Sequence, residues 1–223
     1  MEPISPFLNQ FVEVLLPENN NLVGKVMDQG IDILVLYDGT RYIYVPWIHV
    51  KSIKQISSDS TNTFELQESP VLLNKEGLSY RNILNNSRGM FIEMNVTGSH
   101  SLHGYVTTIL NNYLVFYSPV FKTMFVSLHH LKWLIPYSRS FTPFSLSSHH
   151  LQIKPSQIPL SRSFEEQMKR LEGELIILDT GDDPHKIGIV SRLENNLLEL
   201  VNITGDRTNW NVQHIKTIHL PSQ

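Results

Sequence analysis

The 223-residue chain contains no cysteine, which removes disulfides, thiolate metal ligands and cysteine nucleophiles together. Its stability must come from packing. Charge of one sign is also missing. The 18 basic and 21 acidic residues leave a net charge of −3, neither the basic excess of a typical nucleic-acid binder nor the acidity of a solvated tail. The opening MEPISPFLNQFVEVLL carries Glu2 where a secretory signal needs basic residues, and Asn9, Gln10 and Glu13 interrupt its apolar positions. No later stretch approaches the roughly 20 apolar residues of a membrane span. We expect no membrane insertion and synthesis in the cytoplasm. There is no Gly-x-Ser-x-Gly elbow, phosphate-binding loop or dinucleotide fingerprint. The expectation is therefore no catalytic residue, no cofactor and no enzymatic activity.

What is present is a sequence that repeats itself. Gly24, Gly104 and Gly188 each open a Gly-x-Val triplet. Eight residues later stand Asp32, Asn112 and Asn196, ten later Leu34, Leu114 and Leu198, and twelve later Leu36, Phe116 and Leu200. Each unit closes on His49, His130 or His214, followed by an aliphatic residue, then Lys51, Lys132 or Lys216, a variable residue and another aliphatic. The glycines are 80 and then 84 residues apart, longer than a solenoid period of roughly 20 to 50, so each unit is expected to be a small domain. The boundaries read as repeat 1 over 6–56, a polar linker over 57–78, repeat 2 over 79–136, a Ser/Pro-rich linker over 137–161 and repeat 3 over 162–221.

Within repeat 1, FVEVLL, LVGKVM, DILVLY, RYIYVPW and VKSIKQI are rich in β-branched and aromatic residues and are separated by turn-forming stretches. Five strands per unit follow. SFEEQMKRLEG precedes repeat 3, with Ser163 and Glu166 spaced as a capping box and Gly173 at the exit. YRNILNNSRG takes the same place before repeat 2, and SPFLNQ leaves room only for a turn before repeat 1. A short helix and five bent strands is the order of an SH3-like or Sm-like barrel. The expected fold is mainly β, three such barrels in tandem. One extra strand is expected at TFEL, and the linker residues Phe141, Phe144 and Leu146 are expected to lie partly against a barrel.

Ten histidines suggest metal, above all His129-His130, His149-His150 and His100 with His103. Neighbouring residues on a strand point to opposite faces, however, so these pairs do not converge as ligands must, and no metal is expected. His49, His130 and His214 read instead as a packed corner between the fourth and fifth strands, with one ring nitrogen bonded to backbone. Lys51, Lys132 and Lys216 read as solvated. Small barrels also bind RNA by stacking bases on aromatics. Tyr42, Tyr44, Trp47 and Phe125 are the candidates here, but no basic cluster accompanies them, so nucleic acid ranks second.

The run DGTRYIYVPWIHVKSI, with the repeated Gly-x-Val, D/N-x-L-x-L and His-aliphatic-Lys signatures, resembles the spore coat protein B family of endospore-forming bacilli. That resemblance implies a structural component of the spore coat without enzymatic activity. It would be made in the mother-cell cytoplasm, deposited on the spore, and bound to other coat proteins or to itself. The likeness has two gaps. The family's Gly-Gly-Pro-Glu-like turn survives only as Pro17-Glu18, and its Ser/Lys/Arg-rich tail has no counterpart in residues that end HLPSQ.

Overall fold

The computed structural model describes residues 6–57, 69–71, 77–98, 100–138, 140–145 and 158–221. TFEL, Leu146 and His149-His150 lie outside them. The described residues are mainly β: fifteen strands, with antiparallel pairing throughout, and two short helices.

Repeat 1 supplies β1 (Phe11–Leu15), β2 (Asn21–Gln29), β3 (Ile33–Tyr37), β4 (Tyr42–Pro46) and β5 (Ser52–Gln55). In β1 alternate residues are buried, so Val12 and Val14 face the core, whereas β3 and β4 are buried along their whole length. A strand covered on both faces needs the continuous apolar run that ILVLY provides. Repeat 2 opens with α1 (Tyr80–Asn86) and continues through β6 (Phe91–Thr97), β7 (His100–Ile109), β8 (Tyr113–Ser118), β9 (Lys122–Ser127) and β10 (Trp133–Pro136). Repeat 3 opens with α2 (Phe164–Arg170) and continues through β11 (Leu175–Leu178), β12 (Ile187–Glu194), β13 (Leu197–Val201), β14 (Arg207–Asn211) and β15 (Thr217–His219). The capping box at Ser163 and Glu166 forms on α2, and Gly173 takes a φ of 88° beyond its end.

The signature glycine sits where the second strand crosses close to its neighbour. A Cβ on Gly24, Gly104 or Gly188 would stand 2.8, 2.1 or 2.5 Å from the carbonyl oxygen of Tyr37, Tyr117 or Val201. Only glycine fits there. Two residues on, each second strand breaks register with the third, between Val26 and Asp28, Val106 and Thr108, and Val190 and Arg192. A bulge at the same place in every unit bends the second strand, and the bend lets the fifth strand return to the first. That return is seen as β5 on β1, β10 on β6 and β15 on β11.

The described residues fall into two compact units, those within Met1–Ser101 and Lys132–Phe141, and those within Leu102–Leu131 and Thr142–Gln223. In the first, the strand order runs β6-β10-β4-β3-β2-β1-β5, and in the second it runs β14-β13-β12-β11-β15-β9-β8-β7. Repeat 2 thus gives its outer strands, β6 and β10, to the first unit and most of its central strands to the second. Of the linker aromatics, Phe141 stacks on Tyr137 at 4.3 Å and approaches Phe91 at 5.8 Å, within the first unit, whereas Phe144 is exposed.

Replacing Gly104 by Ala forces β7 and β8 apart at the tightest of the three crossings. We expect a loss of about 1–3 kcal/mol, read by urea denaturation, with the unfolding transition moving to lower denaturant.

Candidate functional site

The motif that ends each repeat folds into one corner three times. Between the fourth and fifth strands the chain makes a 3-10 turn, Trp47–His49, Leu128–His130 and Val212–His214, so each signature histidine is the last residue of its turn. The corner is tied back to the residue eight after the glycine. The N–H of Trp47, Leu128 and Val212 donates to the carbonyl of Asp32, Asn112 and Asn196 at 3.0, 2.9 and 2.9 Å.

In two repeats the side chain of that same Asp or Asn reaches the helix that begins the next repeat. Asp32 Oδ1 accepts from the Tyr80 N–H and Asn112 Oδ1 from the Phe164 N–H, both at 2.8 Å. These are the first residues of α1 and α2, whose leading N–H groups have no partner within the helix. Sequence reading found Asp32, Asn112 and Asn196 as repeat markers and missed this role, because the bond joins residues about 50 apart that no local pattern links.

The histidines share a corner but differ in surroundings. His49 and His130 are half-buried, and His130 Nε2 lies 2.8 Å from the Gln213 carbonyl. Burial lowers the His130 pKa below its usual value, against the raising effect of that carbonyl. His214 is exposed, so the expected packed ring is not found there. The lysines differ more. Lys51 is exposed and Lys216 half-buried, but the Lys132 side chain is only 5% exposed and pairs with Glu18 at 2.6 Å. The expectation of a solvated Lys132 is corrected: Glu18, held at a φ of 62° in the turn after β1, comes down on it. A buried ammonium needs such a partner.

These corners position the joints between repeats. The fifth strand of one repeat pairs with the fourth strand of the repeat before it. In the first unit Leu134 of β10 lies opposite Tyr44 of β4, and in the second Ile218 of β15 lies opposite Phe125 of β9. The register is the same in both, the fourth residue after one histidine against the fifth before the preceding one. Side chains cross the joint in both directions. Trp133 and Ile135 enter the core built by Val12, Val14, Leu34, Leu36, Ile43 and Val45 of repeat 1. Tyr113, Val115 and Phe125 of repeat 2 enter the core of repeat 3 beside Phe164, Met168 and Ile218. The Tyr113 hydroxyl donates to the Ser161 carbonyl at 2.7 Å and lies 3.1 Å from Gln167 Oε1. Burial pushes its pKa up to about 12.

The aromatic candidates for base stacking sit in or beside this packing. Tyr44 and Phe125 are fully buried and Tyr42 nearly so, while the half-buried Trp47 donates its indole N–H to the Gly30 carbonyl at 3.2 Å. Among the described residues no three His, Asp or Glu side chains converge as metal ligands would. A shallow groove in the second unit, lined by Arg162, Glu166, Lys169 and Arg170, gathers three cations around one carboxylate.

Two comparisons extend this picture. The chain is 45% identical to the protein described as "Uncharacterized protein YwrJ" of Bacillus subtilis (strain 168), over 99% of this chain and 100% of that one. A family profile described as the YwrJ third domain matches residues 163–218, which run from the capping serine of α2 into β15.

Two outcomes are expected. Asn112→Ala removes the bond to the start of α2 together with the Nδ2 bonds to Glu165 at 3.2 and 3.1 Å and should cost about 1 kcal/mol in urea denaturation, whereas Asn112→Asp keeps an acceptor for the Phe164 N–H but sets a carboxylate against Glu165, and should recover only part of it. Burial also lowers the His219 pKa below 6.5. Below that pH the unfolded chain takes up more protons than the folded one, so stability contributed by His130 and His219 is present above pH 6.5 and is lost as pH falls toward their folded values. Thermal melts between about pH 7 and pH 5 should show a shallower decline for His219→Leu than for the parent chain.

Proposed function

The chain belongs to the YwrJ family, and from that premise we propose that it is a non-enzymatic structural and interaction protein of the bacterial endospore coat. In this reading it consists of three SH3-like or Sm-like barrels with the repeat boundaries given above. It acts through its surfaces on other coat proteins, after synthesis in the mother-cell cytoplasm. One observation carries the reading: the repeated residues serve architecture. The glycines admit a carbonyl, Leu34, Leu114 and Leu198 fill cores, the Asp and Asn residues tie the corners, and the histidines end the turns. A chain whose signature builds a scaffold is suited to assembly. The resemblance of DGTRYIYVPWIHVKSI to coat protein B supports the spore coat as its location, and a relative in Bacillus subtilis is compatible with it.

The groove at Arg162, Lys169 and Arg170 favours a second reading as a small-barrel RNA-binding protein. Oligonucleotide titration at several salt concentrations tests it, since phosphate contacts give affinity that falls steeply with salt. For the coat reading, a fluorescently tagged chain followed through sporulation should move from the mother-cell cytoplasm to a shell around the forespore and stay with purified spores. A signal confined to vegetative cytoplasm rules that reading out.

A further inference from the structure

The joint between repeats occurs twice within the chain and could in principle continue from one copy to the next. Among the described residues β5, the fifth strand of repeat 1, and β14, the fourth strand of repeat 3, stand at the two ends of the strand order and take part in no joint. The register of the two internal joints sets Ile53 of one copy opposite Asn209 of another. The main chain permits this. Lys51–Gln55 lies along β1 with alternate N–H groups turned outward, and the Val212 bond to Asn196 directs the Asn209 N–H away from β13.

The side chains oppose it at four of the five matching positions. On the receiving side, the internal joints present Ile33, Val35 and Tyr44 in repeat 1 and Tyr113, Val115 and Phe125 in repeat 2, all buried. The matching positions of repeat 3 are Leu197, Glu199 and Asn209. Leu197 is 43% exposed, Asn209 is exposed, and Glu199 is held by Arg207 at 2.5 Å and Arg192 at 3.6 Å. On the inserting side, Trp133 and Ile135 of β10 are buried in repeat 1, and Thr217 and His219 of β15 are buried likewise. The matching residues of β5 are Ser52 and Lys54, both exposed. The third and fourth strands that should receive an apolar partner are joined by an ion pair, and the fifth strand that should insert into one carries an ammonium. Covering the exposed heads of Arg192 and Arg207, or Lys54, would strip charges of water without new partners. Lysine on an edge strand and polar outer faces on terminal repeats are the features by which sheets and repeat arrays stop growing.

We infer that the chain terminates its own array: the joint that links its repeats is chemically closed at β5 and at β14, so a second copy does not add through it. This narrows the surfaces available for assembly and stands whether or not the coat reading holds. Contacts with neighbours then use faces other than the repeat joint.

Sedimentation tests the inference. The 25.7 kDa parent chain should show no association that Asn209→Pro abolishes across a range of concentrations. Opening the receiving side with Glu199→Val and Asn209→Phe, and in a separate chain the inserting side with Ser52→Trp and Lys54→Ile, should leave each variant monomeric. Mixed together they should form a one-to-one dimer that goes no further, because each partner keeps one closed edge. A chain carrying all four changes should form larger species. If the Glu199 variant does not fold, Asn209→Phe alone serves as the receiving partner. The inference is overturned if the parent chain associates and Asn209→Pro abolishes that association, since proline removes the outward N–H while sparing the bonds to β13. It is equally overturned if folded, opened variants fail to pair, because polar side chains are then not what closes the ends.

Discussion

The architecture depends on one residue type at one position, the Asp or Asn eight residues after the signature glycine. Its carbonyl holds the corner that redirects the chain from fourth to fifth strand, and in repeats 1 and 2 its side chain holds the first N–H of the next helix. One residue therefore sets both the end of its own repeat and the start of the following one. Asp and Asn satisfy this double demand because a short side chain with an acceptor oxygen can cap a helix at close range. At Asn196 a second property of the residue is in use. No helix follows among the described residues, but the backbone there has a φ of 62°, a conformation Asn tolerates better than most residues.

Fixing the corner also fixes the register of the joint, and the register decides which residues are buried. Along an antiparallel strand a slip of one residue would turn Trp133 and Ile135 out of the repeat 1 core and Leu134 into it. Burying a large apolar side chain is worth about 1.5–3 kcal/mol, so the exchanged residues make a large contribution. A five-stranded unit of this size has a marginal core by itself. Trading side chains across the joint lets each core exceed what one repeat could bury.

Much of this was legible in the sequence. The glycines, the five strands, the α2 capping box and the histidine corner follow from local chemistry, since each concerns residues near one another in the chain. What was not legible is long-range. A repeat says that units are alike and is silent about which strand of one meets which strand of another. The same limit hid the burial of Lys132, whose partner Glu18 is 114 residues away, and made it read like exposed Lys51. It also hid the loss of the corner packing at His214, which depends on surroundings rather than on the motif. The sequence thus marked positions by their repetition, and the connections among them came from tertiary structure.

The third repeat shows that geometry outlasts the chemistry that first satisfies it. The N–H of Lys51 donates to the Leu15 carbonyl and that of Lys132 to the Asn95 carbonyl, equivalent positions nine residues before the signature glycine in the first strand of each of the two repeats. In repeat 3 the equivalent residue is Asp179, where the chain turns through positive φ at Asp179 and Thr180. A strand that ends in this conformation no longer aims its carbonyl along the ladder. The Asp179 carboxylate takes over, accepting from the Lys216 N–H at 2.8 Å and the Thr217 N–H at 3.1 Å. A buried carboxylate demands more than two N–H donors to offset lost hydration, and Lys186 Nζ supplies the balance at 2.9 Å while lying over the Trp210 ring. Lys186 ends the stretch 180–186 between β11 and β12, TGDDPHK, so that stretch helps hold the fifth strand of repeat 3 in the same place that a simple carbonyl holds it in the other two.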